Sequence, residues 1–512
     1  MKKLLIFAAF LAAVSVANAQ KKNLHFENNL ESLRQYECPE WFRDAKFGIW
    51  AHWGPQSVPM QGDWYARAMY EPNNNKNYKK DVYDYHVKNY GHPSEVGYKD
   101  IVPLWKAENF NPDALMKLYK AAGAKYFVSM GVHHDNFDLW DSKYTRWNAV
   151  DMGPKRDIVG AWQEAAKKYG LKFGVSEHLS AGYGWFQSNK AADTEGDKKG
   201  VAYDGATSWK DWDLYYSPSD KPYKWVHEDG MFAQLWFARM SDLLNNYKPD
   251  LLYSDAALPF GHYGEEMLAN YYNNDVEKNK GKLEAVYLSK PARSGAGWEY
   301  YDPEIGVEDR ERGGLAEIGK YPWQTDTSIG DWFYNENYVN KDTGTMYRSP
   351  FWVLTTLVDV VSKNGNMLLN ILQRPDGTID KEVEELLASL AKWMDMNSES
   401  IFETRPWTTF GEGPQDRGGA ADWAEDFHYT PKDIRYTRDK ASKVVYATAM
   451  GIPTEDILLR EIAKSGKTVK SIELLGSKEK IQWKQAADAL TISKPDFSTS
   501  HILPVFKITW GK

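Results

Sequence analysis

Short apolar runs alternate with longer helical patterns across the first two-thirds of the chain. β-rich runs predict strands at Phe47–Trp50, Tyr126–Met130, Lys172–Ser176, Leu251–Ser254, Ala285–Leu288 and Asn366–Ile371. Between them, apolar residues at three- and four-residue spacing predict helices such as Pro112–Ala122, Ile158–Tyr169, Met231–Asn246 and Phe351–Ser362. Alternation over about 350 residues predicts a parallel sheet, and this length favours an α/β fold of the (β/α)8 barrel type over an open sheet.

The pattern changes after the predicted helix Lys381–Met396. Short strand-like runs, separated by Gly, Pro and Lys turns, follow at Lys443–Met450, Thr468–Leu475, Lys480–Trp483, Ala489–Ser493 and Val505–Trp510. Such a pattern predicts an antiparallel β-sandwich. We therefore expect a barrel at residues 20–397 and a β-sandwich at residues 398–512.

The first residues have the features of a secretion signal. Lys2 and Lys3 precede an apolar stretch from Leu4 to Val16, and Ala17-Asn18-Ala19 gives a small-x-small cleavage pattern. A membrane anchor is the alternative, but the apolar run is too short to span a bilayer. We expect a signal peptide at residues 1–19 and a secreted or periplasmic protein.

Composition excludes several classes of site and partner. Cys38 is the single cysteine, which rules out an intrachain disulfide and a cysteine-based metal site. The net charge of −8 argues against a nucleic-acid partner. No later apolar stretch is long enough to cross a membrane.

One carboxylate stands where an apolar strand ends. The run Leu251-Leu252-Tyr253 leads into Ser254 and Asp255, and a buried strand has no structural need for an acid there. In a parallel barrel this end of the strand faces the active-site mouth. Asp255 is therefore our first candidate for a catalytic residue.

Histidines, acids and aromatic residues follow the ends of other predicted strands. Imidazoles and carboxylates bond hydroxyl groups while indoles stack, so these ends predict a pocket for a hydroxylated, ring-shaped ligand. The candidates for ligand binding are His52, Trp53, Asp63, Trp64, His133, His134, His178, Tyr253 and Trp323.

A metal site is an alternative for the same residues. His52, His133, His134, His178 and Asp255 could together ligate a metal in a barrel hydrolase. Adjacent strand residues point to opposite faces, however, and the chain has no His-x-His and no helical His-x-x-x-His. We expect no metal and no other cofactor.

Cleavage of a glycoside needs two carboxyl groups. The segment Gly306–Gly314 offers Glu308, Asp309 and Glu311 as partners for Asp255. The same segment also has the composition of a solvated, mixed-charge loop.

Several ordered stretches resemble glycoside hydrolase family 29, the α-L-fucosidases. The similar stretches are Trp41–Gly54 with Ser57-Val58-Pro59, Ala122–Asn148, Gly153–Asp157, Tyr247–Asp250 with Asp255, and Asn364–Asn370. They extend from about Glu40 to Asp376, which covers the predicted barrel.

The resemblance implies a catalytic (β/α)8 barrel with a C-terminal β-sandwich, a retaining mechanism and no metal. It assigns Asp255 as nucleophile and places His52, Trp64, His133 and His134 around the terminal sugar, with Asp63 in place of a glutamate. Glu311 is the first choice for the general acid, by its distance before Trp323, and Glu308 is the second.

The chain also departs from the family pattern. Tyr253-Ser254-Asp255-Ala256 replaces Trp-x-Asp-Gly, and Ser289-Lys290 stands where the family places Asn-Asp-Arg, which removes a usual sugar-contacting arginine. We expect an exo-acting retaining α-L-fucosidase that acts on fucosylated oligosaccharides or glycoconjugates. The alternatives are a glycosidase for a related sugar such as an α-L-galactoside, or a catalytically weak sugar-binding barrel.

Overall fold

Eight parallel strands close into a barrel in the computed structural model, which describes residues 24–72, 81–216, 224–292, 297–419, 427–497 and 502–511. The strands are β1 Phe47–Ala51, β2 Tyr126–Val132, β3 Lys172–Glu177, β4 Leu251–Ser254, β5 Val286–Ser289, β6 Val307–Asp309, β7 Trp323–Ser328 and β8 Gly365–Asn370. Each strand pairs with the next in chain order, and β8 pairs with β1 to close the barrel. The predicted barrel fold is confirmed.

Strands β6 and β7 were not among the strands expected from apolar runs. Their sequences, Val-Glu-Asp and Trp-Gln-Thr-Asp-Thr-Ser, contain few apolar residues. They are buried because Asp309, Gln324 and Asp326 face other polar groups inside the barrel instead of solvent. A hydrogen-bonded polar interior gives no hydrophobic signal, and this is why the sequence pattern missed both strands.

Helices cover the outside of most of the barrel. The α-helices are Leu30–Leu33, Glu40–Ala45, Tyr65–Ala68, Val82–Asn89, Tyr98–Ile101, Pro112–Ala121, Ile158–Tyr169, Gly182–Trp185, Asp204–Thr207, Trp212–Tyr215, Gly230–Tyr247, His262–Lys278, Pro350–Ser362, Lys381–Asn397 and Arg460–Lys464. Local chemistry sets their ends: the Asn111 side chain caps Pro112–Ala121, and Gly170 ends Ile158–Tyr169 in a left-handed conformation (φ 67°). In the described stretches between β5 and β7, residues 290–292 and 297–322, no helix is present.

The C-terminal part is built from antiparallel sheets. Its strands are β9 Arg405–Glu412, β10 Ile434–Arg438, β11 Val444–Ala449, β12 Ile457–Leu459, β13 Val469–Leu474, β14 Trp483–Gln485, β15 Leu490–Ile492 and β16 Val505–Trp510. Five of them form one sheet in the order β9-β10-β11-β16-β13, and three form another in the order β12-β15-β14. A hydrophobic cluster that includes Tyr436, Leu490 and Phe506 lies in this region. The predicted antiparallel β-domain is confirmed.

Buried ion pairs join the barrel to this β-domain. Asp359, on helix Pro350–Ser362, accepts a 2.6 Å bond from the Arg435 guanidinium on β10. Lys363 lies 2.9 Å from Asp416 and 3.3 Å from Asp359, and Trp393 donates its indole N–H to the Leu503 carbonyl. These contacts fix the β-domain against the helices that follow β7 and β8.

None of the helices in the described ranges has both the length and the apolar character needed to cross a bilayer. The expected signal peptide at residues 1–19 lies outside the described residues.

Candidate active site

A pocket opens at the carboxyl ends of the barrel strands. It encloses about 170 Å³. It is lined by Trp50, His52, Asp63, Trp64, His133, His134, His178, Trp225, Tyr253, Asp255, Lys290, Glu311, Arg312, Asp326 and Trp332. A cavity below the roughly 300 Å³ typical of drug-sized ligands suits a single sugar ring better than several linked ones.

The structure brings most of the predicted site residues together in this pocket. Those that line it are His52, Asp63, Trp64, His133, His134, His178, Tyr253, Asp255 and Glu311. They come from the ends of β1 to β4, from the loop after β1 and from the segment that follows β6.

Trp53 and Trp323, which the sequence suggested as ligand-binding residues, do not line this pocket. Trp53 packs edge-on against Trp105, with ring centres 4.8 Å apart, because it points away from the side that His52 faces. Trp323 is the first residue of β7 and donates its indole N–H to the Lys363 carbonyl. It therefore lies at the opposite end of the strand from the pocket.

Glu308 also lies outside the pocket lining. It occupies the middle of β6, next to Asp309, whose side chain faces the barrel interior. Glu308 therefore faces outward, where it forms an ion pair with Arg310 and accepts a hydrogen bond from the Tyr301 hydroxyl. Of the two candidates for the general acid, the geometry favours Glu311.

Asp255 is buried and held by the Lys290 ammonium and the His134 imidazole. Its Oδ1 lies 2.6 Å from Lys290 Nζ, and its Oδ2 lies 3.3 Å from His134 Nε2. The Nδ1 of His134 hydrogen-bonds the His178 carbonyl at 2.8 Å, which orients Nε2 toward Asp255. Burial opposes ionisation of Asp255, but the Lys290 ammonium and the hydrogen bond from His134 outweigh it and hold its pKa well below the ordinary value.

Lys290 also contacts the second carboxylate. Its Nζ lies 2.7 Å from Glu311 Oε2, while Glu311 Oε1 accepts a 3.1 Å hydrogen bond from the Trp332 indole N–H. Burial raises the pKa of Glu311, but the Lys290 ammonium reverses this effect and leaves the pKa below its ordinary value. Because one nitrogen contacts Oδ1 of Asp255 and Oε2 of Glu311, these two oxygens are separated by at most about 5.3 Å.

Imidazole rings form one wall of the pocket. The buried His52 has no hydrogen-bond partner on either ring nitrogen among the described residues, and neither has Nδ1 of His178. Burial lowers the pKa of His178 to about 3 and the pKa of His52 well below its ordinary value, so both rings are neutral near pH 7. Neutral imidazoles with unused nitrogens can donate to and accept from sugar hydroxyls.

The imidazoles also bear on the metal alternative. Ring nitrogens of His52, His133 and His178 lie within 4.8 Å of one another, a spacing that could hold a metal ion. His133 Nδ1 already bonds the Gln56 side-chain amide at 2.8 Å, and its Nε2 lies 3.6 Å from Asp63. The expectation of a site without metal stays a prediction.

Two further acids lie at or near the floor of the pocket, Asp326 in its lining and Asp309 beside it. Asp326 accepts a 2.9 Å hydrogen bond from the Tyr253 hydroxyl, and Asp309 accepts one of 2.7 Å from the Gln324 amide. Burial and the neighbouring Asp326 raise the pKa of Asp309 well above its ordinary value. These neighbours therefore favour the protonated form of Asp309 more strongly than water would.

Sequence reasoning did not assign site roles to several pocket residues. Lys290 comes directly after β5 and Trp332 follows β7, so the position of strand ends could have identified both. Asp326 was part of a polar stretch whose strand was not recognised. Its place in the pocket follows only from the closure of the barrel.

Comparison with known proteins identifies the group of proteins that share this architecture. The family model described as alpha-L-fucosidase matches residues 12–399, and that of the alpha-L-fucosidase C-terminal domain matches residues 428–509. This chain belongs to the α-L-fucosidase family, glycoside hydrolase family 29. The resemblance seen in the sequence is confirmed. Because the members of this family are glycoside hydrolases, this protein is a glycoside hydrolase.

The similarity extends over nearly the whole chain. The tissue alpha-L-fucosidase of Rattus norvegicus is 28% identical over 93% of this chain and 90% of its own length. That of Homo sapiens is also 28% identical, over 99% of this chain and 96% of its own length. A crystal structure of Thermotoga maritima alpha-fucosidase in complex with fucose is 27% identical, with a TM-score of 0.68, and covers 95% of this chain and 100% of that one.

Proposed function

We propose that this protein is an exo-acting, retaining α-L-fucosidase that removes terminal α-L-fucosyl residues by double displacement. The observation that carries the proposal is the pair of carboxylates, Asp255 and Glu311. Lys290 contacts one oxygen of each, and these two oxygens are at most about 5.3 Å apart. Retaining glycosidases hold their carboxyl groups about 5–5.5 Å apart, while inverting enzymes need about 6.5–9.5 Å to admit a water.

In the first step, a carboxylate oxygen of Asp255 bonds to the anomeric carbon as the bond to the leaving oxygen breaks. Glu311 gives its proton to that oxygen, and the product is a glycosyl ester of Asp255. The contacts with Lys290 and His134 keep Asp255 ionised, which is the form that attacks.

In the second step, Glu311 takes a proton from water as the water oxygen bonds to the anomeric carbon. The ester bond to Asp255 breaks and the carboxylate is restored. Two inversions at one carbon give a product of retained configuration.

The pocket walls support a single, terminal sugar as the ligand. His52 and His178 offer neutral ring nitrogens for hydroxyl groups, and the indoles of Trp64, Trp225 and Trp332 offer apolar surface. The small cavity accepts one ring, which supports exo action on a fucosylated oligosaccharide or glycoconjugate. We infer that the protein is secreted or periplasmic from the charged, apolar and small-residue pattern of residues 1–19.

The deciding experiment replaces the proposed nucleophile. Asp255→Asn should lower kcat for an aryl α-L-fucoside by roughly 10³-fold or more, without loss of the folded state. Asp250→Asn is the matched control, because Asp250 precedes the same strand at its other end and pairs with Lys172. Near-normal turnover by the Asp255 variant would contradict the proposal.

The stereochemistry is tested separately. Proton NMR of the wild-type reaction should show the α-anomer of fucose as the first product. If the β-anomer forms first, the enzyme inverts, and the two-step scheme is wrong.

A further inference from the structure

Lys290 places a single ammonium group between the two proposed catalytic carboxylates. Its Nζ lies 2.6 Å from Asp255, 2.7 Å from Glu311 and 3.8 Å from Asp326. Only 8% of the Lys290 side chain is exposed, so water screens these interactions weakly. A buried cation with three close acids is held in place from several sides.

Other charged and titratable groups face the same space. From the surrounding strand ends and loops they are Tyr253, His52, His134, His178, Asp309, Asp326 and Arg312. Neither the Asp309 carboxyl nor the Tyr253 hydroxyl, which hydrogen-bonds Asp326, can carry a positive charge. Arg312 lies over the Trp332 ring, 4.9 Å from its centre. The Lys290 ammonium contacts both carboxylates directly, and the Arg312 charge adds to its effect by also lowering the pKa of Glu311.

We propose that Lys290 is a positioning residue that redistributes its hydrogen bonds between Asp255 and Glu311, so that each acid is ionised at the step that needs its anion. This inference rests on the proposed function. An ammonium suits this task because its three N–H donors rotate on a flexible stem, whereas a guanidinium binds a carboxylate in a fixed fork.

The charges on Asp255 and Glu311 change during the reaction, and Lys290 can move its hydrogen bonds toward whichever of the two is ionised. In the free enzyme it contacts both carboxylates. Before the first step Glu311 must be protonated, and Lys290 then keeps its bond to the Asp255 anion. Once Asp255 is an ester it carries no charge, so Lys290 shifts toward Glu311 and stabilises the anion that must act as a base.

The test compares pH profiles of kcat/KM for an aryl fucoside. Lys290→Met keeps the length of the side chain but removes its charge. Asp255 must be ionised and Glu311 protonated, and Lys290 stabilises both anions. Its loss should therefore raise both pKa values and move both limbs of the profile upward by about one pH unit or more. We also expect kcat/KM at the wild-type optimum to fall by roughly 100-fold.

Lys290→Arg restores the charge and should keep both limbs within about half a pH unit of the wild type, but kcat should still fall because the fixed fork cannot move between the two carboxylates. Lys363→Met is the matched control, because Lys363 is also buried and also bridges two acids, Asp359 and Asp416, away from the pocket. It should lower stability and leave the limbs in place.

The inference is overturned if Lys290→Met loses activity with an unmoved profile, or if Lys363→Met moves the profile equally. Should the Met variant not fold, Lys290→Gln is measured in the same way and against the same two outcomes. If the wild type itself does not cleave the fucoside, the proposed function has failed; if it cleaves and the limbs stay fixed, only the role of Lys290 is wrong.

Discussion

The indole N–H of Trp332 offers a test of Glu311 that leaves both catalytic carboxylates in place. Trp332 donates a 3.1 Å hydrogen bond to Glu311 Oε1, and its ring stacks on His52 with centres 5.4 Å apart. Trp332→Phe keeps an aromatic ring in this position but removes the donor. The variant therefore isolates one hydrogen bond to the proposed acid.

The expected shift in the pKa of Glu311 follows from the strength of that hydrogen bond. A hydrogen bond to a charged group contributes about 1.5–3 kcal/mol. A third of the Glu311 side chain is exposed, so we take the lower end, about 1.5 kcal/mol. Since one pKa unit corresponds to about 1.4 kcal/mol, the pKa of Glu311 should rise by about one unit.

The direction of the change is fixed by the role of Glu311. A general acid must be protonated, so activity falls as pH rises through its pKa and forms the basic limb of the kcat profile. Loss of a donor destabilises the Glu311 anion and raises this pKa. The basic limb in Trp332→Phe should therefore move about one unit to higher pH.

The assay is kcat against pH with a fucoside whose leaving group needs protonation. Trp53→Phe is the control, because Trp53 loses an equivalent indole bond, to the Arg374 carbonyl, outside the pocket. If the basic limb of Trp332→Phe stays where it is or moves to lower pH, Glu311 is not the general acid.

Three further outcomes follow from the site and its support. Azide should restore activity to a Glu311→Gln variant. Glu308→Gln should keep kcat within about threefold of the wild type, because Glu308 faces away from the pocket. If azide restores activity only to the Glu308 variant, Glu308 is the general acid and Glu311 is not. A chelator should leave wild-type activity unchanged, and a loss that Zn²⁺ restores would instead support a metal held by the imidazoles. Asp359→Asn removes the nearer of the two anions beside the buried Arg435 guanidinium and leaves Asp416 at 3.4 Å, so it should cost about 3 kcal/mol, seen as a lower Tm with KM unchanged; an unchanged Tm would contradict this account of the domain junction.

The sequence predicted the barrel because its apolar strands alternate with amphipathic helices. It also predicted much of the pocket, since His52, His133, His134, His178 and Asp255 each follow a buried strand and the ends of parallel strands converge. Their roles in catalysis and binding remain predictions until the variants are measured. Position after a strand is a local property, and local properties can be read along the chain.

Side-chain direction and charge sharing are not local, and the tertiary structure alone decided them. Trp53 follows His52 in sequence but faces the opposite side, and Glu308 is turned outward by its place in a strand with no apolar signature. Nothing in the sequence shows that Lys290, after β5, contacts both Asp255 and the Glu311 that follows β6. That contact exists because barrel closure brings these strand ends within a hydrogen bond of one ammonium group, where burial makes each charge depend on the others.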